Sequence, residues 1–113
     1  MMKIFHNPRC KKSREGLQYL MGKYDKVEIR EYLKTPLTNS ELQEIILKSG
    51  IKPDALIRTQ EEYFRKNLKG LKFSDSEWMQ IIIENPVLLK RPIVVSATRA
   101  VHADPPKEID RLL

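Results

Sequence analysis

The sequence predicts an α/β domain that opens β-α-β, runs through a helical middle and closes β-β-α. Three observations carry this. Short apolar strands stand at residues 2–6, 27–32 and 93–96, with a weaker one at 98–102. Capping-box spacing at Thr38–Glu41 and at Ser74–Glu77 marks two helix starts between them. The chain has 113 residues, which suits one domain with one core.

Met2-Lys3-Ile4-Phe5-His6 reads as a strand ended by Asn7-Pro8, because proline donates nothing to a sheet and asparagine favours turns. From Lys11 to about Lys23, Leu17, Leu20 and Met21 recur at helical spacing. Val27 to Tyr32 alternates and forms the second strand, so the opening favours a parallel pair with a right-handed crossover. Thr38 caps a helix carrying Leu42, Ile45 and Ile46, which Gly50 stops. Pro53 suits the first turn of a short helix through Arg58. Residues 60–68 form a strongly charged helical stretch. Ser74 caps a helix that ends near Asn85-Pro86, with Trp78 in the core beside Ile81 and Ile82. Ile93 to Ser96 and Thr98 to His102 pair as a hairpin, and Pro105-Pro106 starts a last helix through Leu113. No repeat, low-complexity stretch or linker divides the chain, so residues 1–113 read as a single domain.

Hydrophobic residues at 41% and charged residues at 32% mark a folded, soluble chain rather than a disordered one. The longest apolar runs, such as Ile81-Ile82-Ile83, fall far short of the ~20 residues a membrane span needs. The N-terminus enters a strand directly, which reads as no signal peptide. Cys10 is the one cysteine, so no internal disulfide can form, and with only His6 and His102 beside it no zinc site is expected. A reducing cytoplasm fits this cysteine usage best. The net charge of +6 points to an anionic ligand, a nucleic acid or an acidic partner, without choosing among them.

Cys10 stands between a strand end and a helix start. Unpaired backbone N–H groups there stabilise a thiolate, and reactive cysteines in such places have pKa values of about 3.5–7.5 against about 8.5 for a free thiol. Arg9, Lys11, Lys12 and Arg14 add positive charge, and Ser13 can donate a hydrogen bond. The alternative is an inert buried thiol. His6, four residues earlier, can hold the loop or support the thiolate; His102 reads as structural. Arg58 and Arg91 carry the fixed fork that suits tetrahedral oxyanions, and Arg91-Pro92 before a strand can be cis and frame a pocket. Arg65, Lys66, Lys69 and Lys72 read as a solvated helix face with no aromatic stacking platform, which argues against nucleic acid.

The segment His6-Asn7-Pro8-Arg9-Cys10-Lys11-Lys12-Ser13-Arg14 resembles the active-site loop of the glutaredoxin-coupled arsenate reductases, a family in one superfamily with the Spx regulators. Three more segments match it in order: Tyr32-Leu33-Lys34-Thr35-Pro36, Leu56-Ile57-Arg58, and Asn85 to Val95 through Lys90-Arg91-Pro92. The resemblance spans nearly the whole chain. It implies a thioredoxin-like fold, with a small mixed sheet flanked by helices and a helical insertion between the two halves. It implies Cys10 as nucleophile, His6 and Ser13 as supports of its thiolate, Arg58 and Arg91 as oxyanion ligands, and a cis Pro92 beside Cys10. The family's third arginine position here holds Asp104, in Asp104-Pro105-Pro106-Lys107, with Arg99 nearby. Asp104 also suits the N-cap of the last helix.

The function implied is a cytoplasmic thiol-dependent oxidoreductase, acting as a monomer away from membranes on arsenate or a related oxyanion. It would hold no metal and no tightly bound cofactor. With no second cysteine it would need an external reductant, glutathione followed by glutaredoxin. The alternative is an Spx-like, non-enzymatic protein that binds RNA polymerase. Spx switching uses two cysteines at C-x-x-C spacing, and the second place here is Ser13.

Overall fold

The structure, a computed structural model, describes residues 1–112. Its organisation starts from β1 (Met2–Phe5), whose alternate side chains reach opposite faces of a sheet that is covered on both sides. That is why the strand reads as nearly continuous apolar sequence. β1 pairs in parallel with β2 (Val27–Arg30) and antiparallel with β3 (Ile93–Val95). β3 pairs antiparallel with β4 (Ala100–His102), giving the order β2-β1-β3-β4.

On one face Met2, Ile4, Val94 and Val101 pack against Leu20 of α1 (Lys11–Met21) and Ile109 of a closing 3-10 helix (Pro106–Leu112). On the other, Phe5, Ile93, Val95 and Ala100 meet Leu42 and Ile45 of α2 (Asn39–Ser49). A short α3 (Glu62–Asn67) follows, then α4 (Asp75–Glu84), whose Trp78 and Ile82 join this second cluster. Phe73 meets Trp78 edge to face, with ring centroids 4.8 Å apart. α3 buries none of its residues and its Lys66 pairs with Glu62, so this charged stretch is a solvated rim. Among the described residues no helix is long and apolar enough to cross a membrane.

Both capping boxes form with their two reciprocal hydrogen bonds, and Gly50 closes α2 in the left-handed region at φ 71°. Some boundaries differ from the sequence expectation. The second strand stops at Arg30, because the amides of Lys34 and Thr35 both turn back to the Glu31 carbonyl at 3.1 Å. The fourth strand starts at Ala100, because Ser96 and Arg99 close a turn before it. Two expected helices are 3-10 segments, over Pro53–Leu56 and Pro106–Leu112. The expected extension to Leu113 lies outside the described residues.

The turn after β2 is fastened by one ion pair. Arg30 donates from Nε and a terminal nitrogen to the two Glu41 carboxylate oxygens, each at 3.0 Å. It also donates to the carbonyls of Thr35 and Pro36. Glu41 is thus both the capping-box acid of α2 and the anchor of the turn that carries Tyr32. Burial raises the Glu41 carboxyl pKa, but the Arg30 and Thr38 hydrogen bonds outweigh it and hold the group below 4.5. A depressed folded pKa contributes stability above the unfolded value and loses it as pH falls through the folded one. Glu41→Gln keeps the cap and removes the charge. It should cost about 1 kcal/mol at neutral pH, and the difference should vanish toward acid, where the wild-type carboxyl is protonated. Urea unfolding of both proteins across pH measures this.

Candidate active site

The loop before α1 is built by local hydrogen bonds. Asn7 folds it, with its side-chain oxygen accepting the Arg9 amide at 3.1 Å and its carbonyl accepting the Cys10 amide at 3.0 Å. The Arg14 guanidinium donates to the Pro8 carbonyl at 3.0 Å. Cys10 is then the N-cap of α1, extended at φ −94° and ψ 123°, and its carbonyl accepts the Arg14 amide. The first turn of α1 carries no acidic residue.

Ser13, fully buried, fastens this turn to the end of β1. Its hydroxyl oxygen accepts the Asn7 amide at 2.9 Å and lies 2.8 Å from His6 Nδ1. The His6 amide in turn extends the parallel ladder to the Arg30 carbonyl at 2.9 Å. Burial lowers the His6 pKa and Arg14 adds to this, against the opposing pull of Glu31. His6 is therefore a neutral imidazole at pH 7, and its contact with the cysteine turn runs through Ser13.

Cys10 is partly buried. Burial pushes its thiol pKa up. The Ser13 and Lys12 amides and the Arg91 guanidinium favour the thiolate, and together they win, so the pKa lies below the ordinary value. The sulfur forms no close capping hydrogen bond as a thiol, which leaves those amides available to the anion.

Arg91 is 9% exposed, so its charge needs internal company. One terminal nitrogen donates to the Val87 carbonyl at 3.1 Å, and the guanidinium faces Cys10. The Arg91–Pro92 bond is cis. The Arg91 carbonyl lies 3.2 Å from His102 Nε2, so His102 steadies the same corner. Pro92 lies against Gly16, where a Cβ would stand 2.6 Å from Pro92 Cγ.

Arg58 is carried on a strip paired with the segment before Arg91. Ile57 bridges Leu89, the Arg58 amide donates to the Leu88 carbonyl at 2.7 Å, and the Lys90 amide donates to the Leu56 carbonyl at 2.8 Å. Its guanidinium holds a Glu61 carboxylate oxygen through two nitrogens, each at 3.1 Å. Arg58, Arg91 and Cys10 meet around Tyr32, whose phenol feels the charge of all three. Sequence reasoning found Tyr32 as a strand-end residue and missed it as part of the site, because nothing local signals where its hydroxyl goes.

Asp104 and Arg99 each find a partner elsewhere in the chain. Asp104 does not cap the last helix: its carboxylate pairs with Lys12 of α1 at 3.0 Å, while the closing 3-10 helix begins two residues later at Pro106. Arg99 is turned to the Arg111 carbonyl at 3.0 Å and away from Cys10. Among the described residues no cluster of His, Cys, Asp or Glu could hold a metal ion.

Residues 5–112 match the ArsC family, a span running from the end of β1 through the closing 3-10 helix. The chain belongs to the ArsC family. It is 37% identical over 112 residues to an arsenate reductase of Haemophilus influenzae, with 97% of each chain covered. It is also 37% identical over 94 residues to an arsenate reductase of Escherichia coli K12, covering 82% of this chain and 67% of that one. A solved arsenate reductase from Vibrio cholerae superposes with a TM-score of 0.91 at 33% identity, covering 99% of this chain and 97% of that one. The mixed four-stranded sheet is thus the thioredoxin-like sheet of the ArsC family, and Cys10, Arg58 and Arg91 all lie inside the matched span.

Two tests follow from this ArsC-family geometry. Gly→Ala inside a helix ordinarily gains about 0.5–1 kcal/mol. At Gly16 the sign should invert, because the methyl group meets the Pro92 ring. Gly16→Ala should destabilise by about 1–3 kcal/mol in urea unfolding. Iodoacetamide reactivity of Cys10, followed against pH, should give an apparent pKa below about 8.5, and Arg91→Ala should raise it. An unshifted titration in Arg91→Ala would remove the guanidinium from the list of causes.

Proposed function

We propose that this chain reduces arsenate, or a closely related oxyanion, with Cys10 as nucleophile. The observation that carries the reading is the placement of Cys10 as the N-cap of α1, facing the buried guanidinium of Arg91, an arrangement that favours the thiolate. That the relatives bear the name arsenate reductase supports the substrate class.

The Cys10 thiolate attacks arsenic, forming a sulfur–arsenic bond, while one arsenic–oxygen bond breaks and the oxygen leaves as water after protonation. Arg91, and Arg58 once it releases Glu61, offset the oxyanion charge. A glutathione thiolate then attacks the Cys10 sulfur. The electron pair of the sulfur–arsenic bond stays on arsenic, which leaves as arsenite, and a mixed disulfide remains on Cys10. A glutaredoxin dithiol reduces that disulfide and restores the thiolate. The external reductant is required because Cys10 has no second cysteine to resolve it. His6 and Ser13 act by holding the cysteine turn on β1. The protein works as a cytoplasmic monomer in this reading, with no tightly bound cofactor.

The substitution of Asp104 for an arginine is softened by Lys12, which neutralises the carboxylate beside the site. Oxyanion binding then rests on fewer cations rather than on a repulsive charge. The test couples arsenate, glutathione and glutaredoxin to NADPH consumption through glutathione reductase. Turnover should depend on arsenate and fall to background in Cys10→Ser. A chain that binds RNA polymerase and never turns arsenate over would overturn the proposal.

A further inference from the structure

Two buried polar atoms beside Cys10 have no hydrogen-bond partner among the described residues: the Tyr32 hydroxyl and Arg91 Nε. Leaving such a group unpaired costs about 1–3 kcal/mol, so native structures seldom keep one without a use. These two are neighbours. Tyr32 has no exposed surface, and its phenol lies within the fields of Arg91, Arg58 and Cys10. It sits close to the Arg91 guanidinium, yet the pair makes no hydrogen bond of acceptable geometry. The turn that presents the ring is fastened by the Arg30–Glu41 pair and by Arg30 donating to the Thr35 and Pro36 carbonyls.

We propose that the Tyr32 hydroxyl is an oxyanion ligand of this site, donating a neutral hydrogen bond to the anion that approaches Cys10 while Arg91 Nε donates beside it. The proposal rests on the reading that the Cys10 site takes an oxyanion, and it goes further by naming a donor that is not a cation. Both atoms are shielded from bulk water, so the anion enters by displacing what covers them. Arg58 is suited to move, because it is held by an ion pair with Glu61 and exchanges one anion for another. Burial holds the phenol pKa up at about 12, against the pull of both arginines. The hydroxyl therefore stays protonated and remains a donor throughout the range in which the thiolate forms.

The experiment is protection of Cys10 from iodoacetamide by arsenate, without reductant, in wild type and Tyr32→Phe. The substitution keeps the ring and removes one oxygen. Arsenate should protect the variant with affinity weaker by roughly tenfold. That ratio should stay constant between about pH 6 and about pH 9, because a neutral donor does not titrate there. The unfolding midpoint of the variant should hold or rise, because the lost hydroxyl had no protein partner. A second readout needs no variant: arsenate should perturb the near-ultraviolet tyrosine absorption of the wild-type chain with the same midpoint as the protection. Equal protection of both proteins, or no tyrosine perturbation, overturns the Tyr32 proposal and leaves the oxyanion reading standing. A lowered unfolding midpoint that accompanies the weaker binding makes the hydroxyl structural and also overturns it. An unprotected wild-type Cys10 overturns both.

Discussion

A guanidinium with 9% of its surface exposed must be compensated from within, and Arg91 is where the site's demands converge. Around it stand the Val87 carbonyl, the Cys10 sulfur and the Tyr32 phenol, rather than a carboxylate. A Cys10 thiolate would serve as its counter-ion. Linkage makes this reciprocal: whatever free energy Arg91 contributes to lowering the Cys10 pKa, the thiolate returns by stabilising the buried cation. Consuming the thiolate in a covalent bond leaves Arg91 without that partner. In the proposed reaction an oxyanion carried on the same sulfur restores it. The buried cation therefore couples the two halves of the proposed chemistry, activating the nucleophile first and holding the adduct after.

Strand topology explains why these groups meet at one edge. β1 and β2 run parallel, so His6 and the Tyr32 turn both emerge at their carboxyl ends. β3 runs antiparallel to β1, so the segment leading into it, Arg91-Pro92, arrives at that same edge. The register sets Phe5 against Ile93, which brings the residues flanking that pair close together. A cleft of about 350 Å³ at the opposite end touches Met2, Lys26 and Ser96 and shares no residue with this constellation. The helical insertion then brings in Arg58 by pairing its strip with the Leu88–Lys90 segment.

Legibility in the sequence followed the range of the interactions. Helix starts at Thr38 and Ser74 were readable because both partners of each capping box lie three residues apart. Strands were readable from apolar runs, and the Cys10 position from the Asn7-Pro8 break before helical spacing. The long-range contacts were not readable. Nothing near Gly16 announces that Pro92 will press on it, and nothing near Arg30 announces Glu41 as its partner. Asp104 looked like a cap because Asp before proline often is one, but Lys12 offers its carboxylate a full charge across space. β2 lost two residues because the turn hydrogen bonds to Glu31 outcompete further ladder pairing.

Net charge proved a poor guide to where the site's electrostatics reside. The excess of +6 is spread over a surface where most effects are screened within about 8–10 Å. Close to the site, Lys12 is neutralised by Asp104 and Arg58 by Glu61. The exposed cations of the loop, Arg9 and Lys11, are not among the leading influences on the Cys10 pKa. Burial raises it, and what lowers it against burial are two amides fixed by the helix start and one buried guanidinium. Fixed dipoles and a desolvated charge act at short range in a medium that screens them little, so a few such groups outweigh a larger number of mobile surface cations. The lone cysteine is thus tuned by backbone geometry and by a single buried side chain more than by the many lysines and arginines of the surface.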